Sequence, residues 1–278
     1  MEITPLLRGK EAFGTRSLVV DVGLDDGDEF FLAIENGFEV VGFEPNPASF
    51  SALAGKCAAL RNAKCRALVD VSSLSLPLER APGASYLIHA AAGAEAGELD
   101  FFLNGAGSTF NPPPSESDAK NNETKWTKVP VVRIDDYIQE DVYLFKTDTQ
   151  GFDAFVLQGA AKLFRDHVVR QLIFEVDPLN MARNAVTITE LMEMVQNYGM
   201  LCFTDRNDVT PECEFMGDTV EQFEKVYFSE QNANVDSDRF WAKCWEDFMC
   251  INIEKPYTGA ELTVLPRTKR MQSRASPS

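Results

Sequence analysis

The fold of this chain is decided by the stretch Leu18-Val19-Val20-Asp21-Val22-Gly23-Leu24-Asp25-Asp26-Gly27. Its first half is a short β-branched run that ends abruptly in Asp and Gly, as a buried parallel strand does where it enters a loop. Gly23 and Gly27 let the backbone turn tightly and approach a ligand without an intervening Cβ atom. The pattern predicts a strand, a ligand-binding turn and a helix that begins near Asp28 and ends at Gly37.

A second apolar run, Val40-Val41-Gly42-Phe43, ends at Glu44. A carboxylate at the tip of the second strand can accept hydrogen bonds from both hydroxyls of a ribose, so the spacing indicates an adenosine-containing cofactor. A dinucleotide usually requires a Gly-x-Gly-x-x-Gly run that aims a helix at the pyrophosphate, whereas this turn carries Asp25 and Asp26. S-adenosylmethionine has no phosphate and two cationic groups, so an acidic turn favours it over the dinucleotide.

Length, composition and net charge limit the classes of protein to which this chain can belong. The chain has 278 residues, 45% of them hydrophobic, which is enough for one large domain with a sizeable core. Its net charge of −17 argues against nucleic acid as a partner, because a polyanion would meet an acidic surface. No apolar run is long enough to span a bilayer and the N-terminus does not resemble a signal peptide, so we expect a cytoplasmic protein with no membrane partner.

The cysteines show no Cys-x-x-Cys pair and no accompanying cluster of histidines. We therefore expect reduced, mostly buried thiols rather than metal ligands or disulfides. The residues concerned are Cys57, Cys65, Cys202, Cys213, Cys244 and Cys250.

Strands and helices alternate along the rest of the chain. A helix after Pro47 is expected to be capped by Asn46 or Ser49. Of two candidates for the third strand, 65–69 is the weaker and 85–92 is expected at the centre of the sheet. Further strands are expected at 97–103, 128–134, 142–148, 172–176, 201–204 and 247–253, with helices after 151 and at 188–198. The alternation predicts an α/β fold with a doubly wound, mostly parallel sheet.

We expect residues 1–260 to form a single domain. Two irregular polar stretches, near 105–124 and 205–237, are expected to be insertions that carry specificity for the second substrate. Residues 261–278 form a basic tail that is expected to be disordered.

Polar residues fall at or near five of the predicted strand ends, namely Asp21, Glu44, His89, Asp148 and Glu175. Ligands of a doubly wound sheet bind at the carboxyl ends of its strands, where these residues would meet. We therefore place the functional site at this edge of the sheet.

Seven short motifs follow one another between about Ser17 and Glu175. They are Asp21-Val-Gly-x-x-x-Gly27, Glu44-Pro45-Asn46-Pro47, His89-Ala-Ala-Ala-Gly93, Ile134-Asp135-Asp136-Tyr137, Lys146-x-Asp148-x-Gln150-Gly151-x-Asp153, Leu157-x-Gly159-Ala160 and Phe174-Glu175. In order and approximate spacing they resemble the successive blocks of the FkbM-type S-adenosylmethionine-dependent methyltransferases. The Asp-Asp block that precedes Lys-x-Asp-x-x-Gly is the most particular to that family.

The resemblance implies a seven-stranded, Rossmann-like class I methyltransferase fold with S-adenosylmethionine as cofactor. It also implies, typically, methylation of a hydroxyl group on a sugar or another small molecule. By position, Asp21, Gly23 and Gly27 match the loop around the methionyl part of the cofactor. Glu44 matches the ribose carboxylate, and His89 lies where the third strand of the family meets the adenine.

Asp148 matches the acid beside the transferable methyl group. Methyl transfer to an alcohol is an in-line displacement at the sulfonium carbon that also requires removal of the hydroxyl proton. We therefore assign Asp148 as base or substrate-orienting group, and Lys146 either holds it by an ion pair or supports the strand end from the opposite face. A purely structural ion pair between Lys146 and Asp148 is the alternative. Glu175 is the third catalytic candidate. With Asp177 and Asp148 it could also bind a divalent cation, but we assign no metal ion to the site.

The chain departs from the family pattern at three places. It has Leu24-Asp25 where the family usually has Ala-Asn, and Gln150 and Asp153 where the family usually has Glu. A glutamine at position 150 removes a charge that could serve as base or ligand. A catalytically inactive methyltransferase-like binding module would explain Asp25, Asp26 and Gln150 together and is the first alternative function. The second is a nicotinamide-dependent oxidoreductase, which would bind a dinucleotide tightly and would not respond to the methyl donor.

Overall fold

A computed structural model gives the fold and describes residues 17–60, 64–103, 110, 126–177, 180–181, 184–204 and 246–253. The strands are β1 Leu18–Val22, β2 Glu39–Phe43, β3 Cys65–Leu68, β4 Ser85–Ile88, β5 Ala91–Ala92, β6 Gly97–Phe102, β7 Trp126–Val132, β8 Val142–Thr147, β9 Val169–Val176, β10 Met200–Thr204 and β11 Glu246–Asn252. The helices are α1 Asp28–Glu35, α2 Pro47–Ala59, α3 Ile134–Tyr137, α4 Asp153–Gly159, α5 Ala161–Asp166 and α6 Ile188–Asn197, with a 3-10 turn at Val71–Ser73.

The main sheet has eight strands in the order β10-β11-β9-β8-β1-β2-β4-β3. All neighbours are parallel except β11, which runs antiparallel to both β9 and β10. The predicted α/β fold with a mostly parallel sheet is therefore confirmed. The expected number of seven strands is wrong by one, because the weaker candidate at 65–69 also forms a strand, β3, at the edge beyond β4.

Two separate apolar cores cover the two faces of the sheet, since successive residues of a strand point to opposite faces. Val20 of β1 belongs to the core that contains Leu157 and Leu163 from α4 and α5. Its neighbour Val19 belongs to the other core, which contains Phe30 of α1 and residues of α2. The sheet is thus doubly wound, as predicted.

A smaller sheet has the order β5-β7-β6 and was not anticipated as a separate layer. Strands were expected at 97–103 and 128–134, and they form β6 and β7, which pair antiparallel. β7 also runs parallel to the short β5. The predicted strand at 128–134 ends earlier than expected, because Ile134 already begins α3.

The expectation of reduced thiols is wrong for four of the cysteines. Cys57 at the end of α2 is bonded to Cys65 at the start of β3, and Cys202 of β10 is bonded to Cys250 of β11. Cys202 and Cys250 are direct partners in the register of the two strands. Such pairs arise from contacts between elements, which the spacing of cysteines along the chain does not reveal.

Several expectations lie outside the described residues. They include the insertion near 205–237, the tail at 261–278, Cys213 and Cys244, and, apart from Phe110, the insertion near 105–124. In the part of the chain that the structure describes, no helix has the length and apolar character needed to cross a membrane.

Candidate active site

The turn after β1 approaches the end of β8 closely. Gly23 has a φ of 82° and its N–H donates to the carbonyl oxygen of Phe43 at the end of β2 (3.0 Å). A Cβ atom at Gly23 would overlap the carbonyl oxygen of Asp148. Gly27 has a φ of 80° and immediately precedes α1, with Leu53 of α2 against it. The turn therefore requires glycine for both its backbone conformation and its contacts.

Glu44 is buried and holds this turn in place. Its Oε2 accepts hydrogen bonds from the N–H groups of Leu24 (2.9 Å) and Asp25 (3.1 Å), and its Oε1 accepts one from Asn46 (2.7 Å). Burial raises the pKa of Glu44, while these three N–H groups act in the opposite direction. A carboxylate has about four lone-pair positions, so one acceptor position is left beside the three that are used. This position can serve one ribose hydroxyl, whereas the sequence predicts that both are bound.

Asp21, Lys146 and Asp148 form a line of charges across β1 and β8. Asp21 and Lys146 are paired in register, and Nζ of Lys146 lies 3.6 Å from Oδ1 of Asp21 and 3.7 Å from Oδ2 of Asp148. Burial raises the pKa of Asp21 to about 6, although Lys146 opposes the shift. Burial disfavours the charged form of Lys146, but the two carboxylates outweigh it and its pKa is higher than usual.

Oδ1 of Asp21 has no hydrogen-bond partner within 3.5 Å in the described structure although the residue is only 2% exposed, and its nearest cation is Nζ of Lys146 at 3.6 Å. Buried polar atoms normally have a hydrogen-bond partner. A cationic donor group of a ligand would satisfy this oxygen.

The turn after β8 brings Asp148 and Glu175 together. Gln150 and Gly151 have φ values of 55° and 84°, so two successive residues are left-handed. The side-chain nitrogen of Gln150 lies 3.5 Å from Oδ1 of Asp148 and 3.3 Å from Oε2 of Glu175. Burial, followed by the charges of Asp148 and Asp153, raises the pKa of Glu175 well above its usual value.

Asp153 is a further member of this cluster that the sequence identified only as a departure from the family pattern. It is 1% exposed, and it accepts hydrogen bonds from the hydroxyl of Thr147 (2.9 Å) and the N–H of Thr149 (3.4 Å). Burial, with the charge of Asp148, raises its pKa to about 7. From its position at the start of α4, Asp153 fixes the turn after β8 through these two hydrogen bonds, next to the partly exposed Asp148.

His89 follows β4 and lies beside the end of β2. Its Nε2 is 3.2 Å from the carbonyl oxygen of Pro45, and its ring stacks on Phe50 of α2 with 4.6 Å between centroids. Burial lowers its pKa. His89 and Glu44 thus form one group at the ends of β2 and β4, and Asp21, Lys146, Asp148 and Glu175 form a second group at the ends of β1, β8 and β9.

No set of three or more histidine, cysteine, aspartate or glutamate side chains in the described ranges is arranged to hold a metal ion. In particular, Asp148 and Glu175 have the amide of Gln150 between them.

The family model of the methyltransferase FkbM domain matches residues 21–202, which is well over half of the chain. The chain belongs to this family. The matched range begins at Asp21, near the end of β1, and contains both groups of the site. No curated protein sequence matches the chain at a significant level.

Several solved structures of methyltransferases are distantly similar to the FkbM domain. Methyltransferase FkbM from Methylobacillus flagellatus is 16% identical with a TM-score of 0.35, over 62% of this chain and 36% of that protein. The chain thus matches about a third of the length of that protein. A TehB-like SAM-dependent methyltransferase from Corynebacterium glutamicum is 11% identical with a TM-score of 0.35, over 73% and 77% of the two chains. The StiE O-methyltransferase is 9% identical with a TM-score of 0.43, over 93% and 75%.

Proposed function

We propose that this FkbM domain is an S-adenosylmethionine-dependent methyltransferase that methylates a hydroxyl group of a small molecule or sugar. The observation that carries the proposal is the combined placement of Glu44 and the Asp21–Lys146–Asp148 line at one edge of the sheet. Glu44 can accept a hydrogen bond from a ribose hydroxyl, and the Asp21–Lys146–Asp148 line provides a carboxylate for the reacting hydroxyl.

The residues present fit S-adenosylmethionine. Gly23 and Gly27 give the turn after β1 its left-handed conformations and its close contacts with Asp148 and Leu53, and Glu44 keeps one acceptor position beside its three N–H bonds. The buried Oδ1 of Asp21, whose one ion-pair partner in the described structure is Lys146 at 3.6 Å, could accept a further hydrogen bond from the ammonium group of the methionyl part. When bound, the cofactor supplies an electrophilic methyl group on a sulfonium cation. An acidic site attracts this cation, whereas it would repel the anionic pyrophosphate of a dinucleotide.

Asp148 is the carboxylate that an incoming hydroxyl can reach. Its side chain is 40% exposed, whereas Glu175 is 3% exposed. Lys146 and Gln150 fix its two oxygens from different sides, so the carboxylate is oriented before substrate binds. In this proposal Asp148 accepts the hydroxyl proton as the oxygen–methyl bond forms and the carbon–sulfur bond breaks.

The expected partner is a neutral or cationic small molecule, because the net charge of −17 disfavours nucleic acids and anionic membrane surfaces. The alternative function, an inactive binding module, is favoured by one observation. The side-chain amide of Gln150 contacts the carboxylates of both Asp148 and Glu175, whereas the family usually has a glutamate at position 150.

Calorimetric titration with S-adenosylhomocysteine tests the cofactor. We expect saturable binding by the wild type, strong weakening in Glu44→Ala, and unchanged binding in Glu35→Ala, which alters an exposed glutamate on α1. Circular dichroism establishes that each variant is folded. A folded wild type that binds NAD and not S-adenosylhomocysteine would establish the oxidoreductase alternative instead.

Transfer of a radiolabelled methyl group to a panel of sugars and alcohols tests the reaction. We expect Asp148→Asn to abolish transfer while it retains binding of S-adenosylhomocysteine. Cofactor binding without transfer to any acceptor would favour the inactive binding module.

A further inference from the structure

A cavity lies at the opposite end of the main sheet from the candidate active site. It has a volume of about 360 Å³, and its lining includes Ser17 before β1, Glu39 at the start of β2 and Ser85 at the start of β4. These are the amino ends of parallel strands, whereas Glu44 and Asp148 follow the carboxyl ends of β2 and β8. Cavities of about 300 to 1,000 Å³ are typical of sites for small molecules. The cavity is therefore of ligand size and separate from the site proposed for the cofactor.

Two buried serine hydroxyls beside this cavity lack an acceptor. Ser17 and Ser85 are each 1% exposed. In the described part of the chain, Oγ of Ser17 has no hydrogen-bond partner. Oγ of Ser85 accepts a hydrogen bond from the N–H of Val40 (3.0 Å), but no described residue accepts one from its own hydroxyl. Buried polar atoms normally have partners, so both hydroxyls are able to donate to a ligand.

Both serines lie on the face of the sheet that α1 covers. The carbonyl oxygen of Ser17 accepts from the first N–H of β2 (3.2 Å), so strand pairing extends to this residue. Residues two positions apart in a strand share a face, and Val19 and Leu87, two positions after the serines, belong to the core beside α1. Ile34 and Phe38 of the same core also line the cavity. The cavity therefore combines an apolar wall with two hydroxyl donors.

The two hydroxyls belong to different ends of the cavity. β2 lies between β1 and β4, and the register places Ser17 two residues closer to the amino end than Ser85. Two strand spacings and two residues along the strands put about 12 Å between their Cα atoms. Ser85 is next to Lys64, because its N–H donates to the carbonyl oxygen of Lys64 (2.7 Å). One end thus has a hydroxyl beside a lysine, and the other has a hydroxyl alone.

The charged residues of the cavity favour an anionic ligand. Both oxygens of Glu39 are used, one by Arg80 (2.6 Å) and the other by the N–H of Gly83 (2.7 Å). Arg80 also pairs with Glu140, whose side chain is 42% exposed and therefore hydrated. Lys64 lines the cavity, is exposed, and has no ion pair with a described residue. The cation that is available to a ligand is therefore Lys64.

We propose that this cavity binds a small elongated carboxylate that carries a second oxygen at its far end. The carboxylate accepts a hydrogen bond from Ser85 near the ammonium group of Lys64, and the second oxygen accepts one from Ser17. An apolar body between the two oxygens contacts Phe38. At about 30 Å³ for each non-hydrogen atom, the volume admits about a dozen such atoms. The inference does not depend on the proposed function.

Titration of the labelled full chain with 4-hydroxybenzoate, followed by proton–nitrogen NMR, tests the proposal. This compound carries oxygens at both ends of a flat ring. We expect saturable binding with a Kd below about 1 mM and shifts of the backbone signals of Ser17, Phe38 and Ser85. Benzoate lacks the far oxygen and 4-hydroxybenzyl alcohol lacks the carboxylate, so each should bind about tenfold more weakly.

Substitutions separate the two ends of the cavity. Ser17→Ala should weaken binding of 4-hydroxybenzoate but not of benzoate, which brings the ratio of their affinities close to one. Lys64→Gln should weaken both carboxylates alike and leave the ratio unchanged. Ser51→Ala removes an exposed hydroxyl on α2 and should change neither affinity.

The melting temperature of the free protein provides a test without a ligand. Because the hydroxyl of Ser17 is buried without a partner, Ser17→Ala should melt at the same temperature as the wild type or higher. A lower melting temperature would show that the hydroxyl is already bonded and would overturn the proposal. Absence of binding, equal affinities of the wild type for 4-hydroxybenzoate and benzoate, or shifts confined to the carboxyl ends of the strands would overturn it as well. Binding of S-adenosylhomocysteine is measured separately, so the failure of either proposal leaves the other intact.

Discussion

Gly23 combines a φ of 82° with a contact to the backbone of Asp148 that leaves no room for a Cβ atom. Alanine at this position would therefore be destabilising for two reasons, because its backbone would be left-handed and its Cβ atom would overlap the backbone of Asp148. We expect Gly23→Ala to reduce the free energy of unfolding by about 3 kcal/mol. Urea unfolding followed by circular dichroism measures the change.

Gly55 provides the matched control for Gly23. It lies inside α2, and a Cβ atom there would meet nothing within 4 Å. Alanine has the higher helix propensity, so Gly55→Ala should increase the free energy of unfolding by about 1 kcal/mol. Equal effects of the two substitutions would contradict the close contact between the β1 turn and Asp148.

Gln150 can be tested by converting it into the acid that the family usually has. In Gln150→Glu the donor between Asp148 and Glu175 is lost and a third carboxylate takes its place. We expect the variant to be less stable by about 2 kcal/mol at neutral pH, because the like charges repel and are poorly hydrated. Gln158→Glu adds the same charge on the exposed side of α4 and should have little effect. A stable Gln150→Glu variant would show that the amide does not bridge the two acids.

The roles of single residues were only partly accessible from the sequence. Spacing placed Glu44 and Asp148 at strand ends, but it did not show that Glu44 binds the N–H groups of its own turn. The Asp-Asp block, which carried much of the resemblance, contains a structural residue. Asp135 is buried and accepts hydrogen bonds from the N–H groups of Lys162 (3.1 Å) and Leu163 (2.9 Å) in α5. Hydrogen bonds between distant positions depend on the tertiary fold and leave no local signal.

Two buried acids, Asp21 in β1 and Asp153 at the start of α4, should make the free energy of unfolding decrease as the pH rises. Burial raises the pKa of Asp153 to about 7 and that of Asp21 to about 6, from 3.8. The folded chain therefore binds these protons more tightly than the unfolded chain does. The stabilisation is fully present below about pH 4 and is lost as the pH rises through 6 and 7.

Thermal unfolding between about pH 5 and pH 8 measures this dependence. We expect the melting temperature to fall across this range in the wild type and to fall less in Asp153→Asn, which cannot ionise at this position. Asp28→Asn changes an exposed aspartate at the start of α1 and should retain the slope of the wild type. The same slope in Asp153→Asn would show that the Asp153 carboxyl is not the group responsible.

Among the elements, the apolar runs with clear boundaries were predicted well. β1, α1 and β2 occur where Gly, Asp and the apolar period indicated them, and Asn46 caps α2 through bonds from Ala48 and Ser49. The smaller sheet was not predicted as a separate layer. An alternating pattern identifies β6 and β7 as strands, but pairing between strands is a long-range contact, so the pattern cannot say which sheet they join.

At the scale of the whole molecule, the two disulfides lie at the opposite edges of the eight-stranded sheet. Cys57–Cys65 fixes β3 at one edge and Cys202–Cys250 fixes β10 at the other. The partners are separated by 8 and 48 positions along the chain. From the loop lengths we expect stabilisation of about 2.5 and about 4 kcal/mol respectively.

Non-reducing peptide mapping should recover both pairs, and the double variant Cys202→Ala/Cys250→Ala should lose more stability than Cys57→Ala/Cys65→Ala. Free thiols at these four positions in protein isolated under alkylating conditions would contradict the pairing. Disulfides are typical of oxidising compartments, so the thiol state also tests the cytoplasmic location, which stays a prediction.

The covalent link at each end of the sheet also affects how the protein can be produced. An outermost strand exposes unpaired backbone groups, and a strand that detaches from its neighbour offers a template to other chains. Synthesis in a reducing host cytosol should therefore give material that self-associates, whereas export to an oxidising compartment should give dispersed protein. Light scattering on the two preparations would make this comparison before any substrate is known.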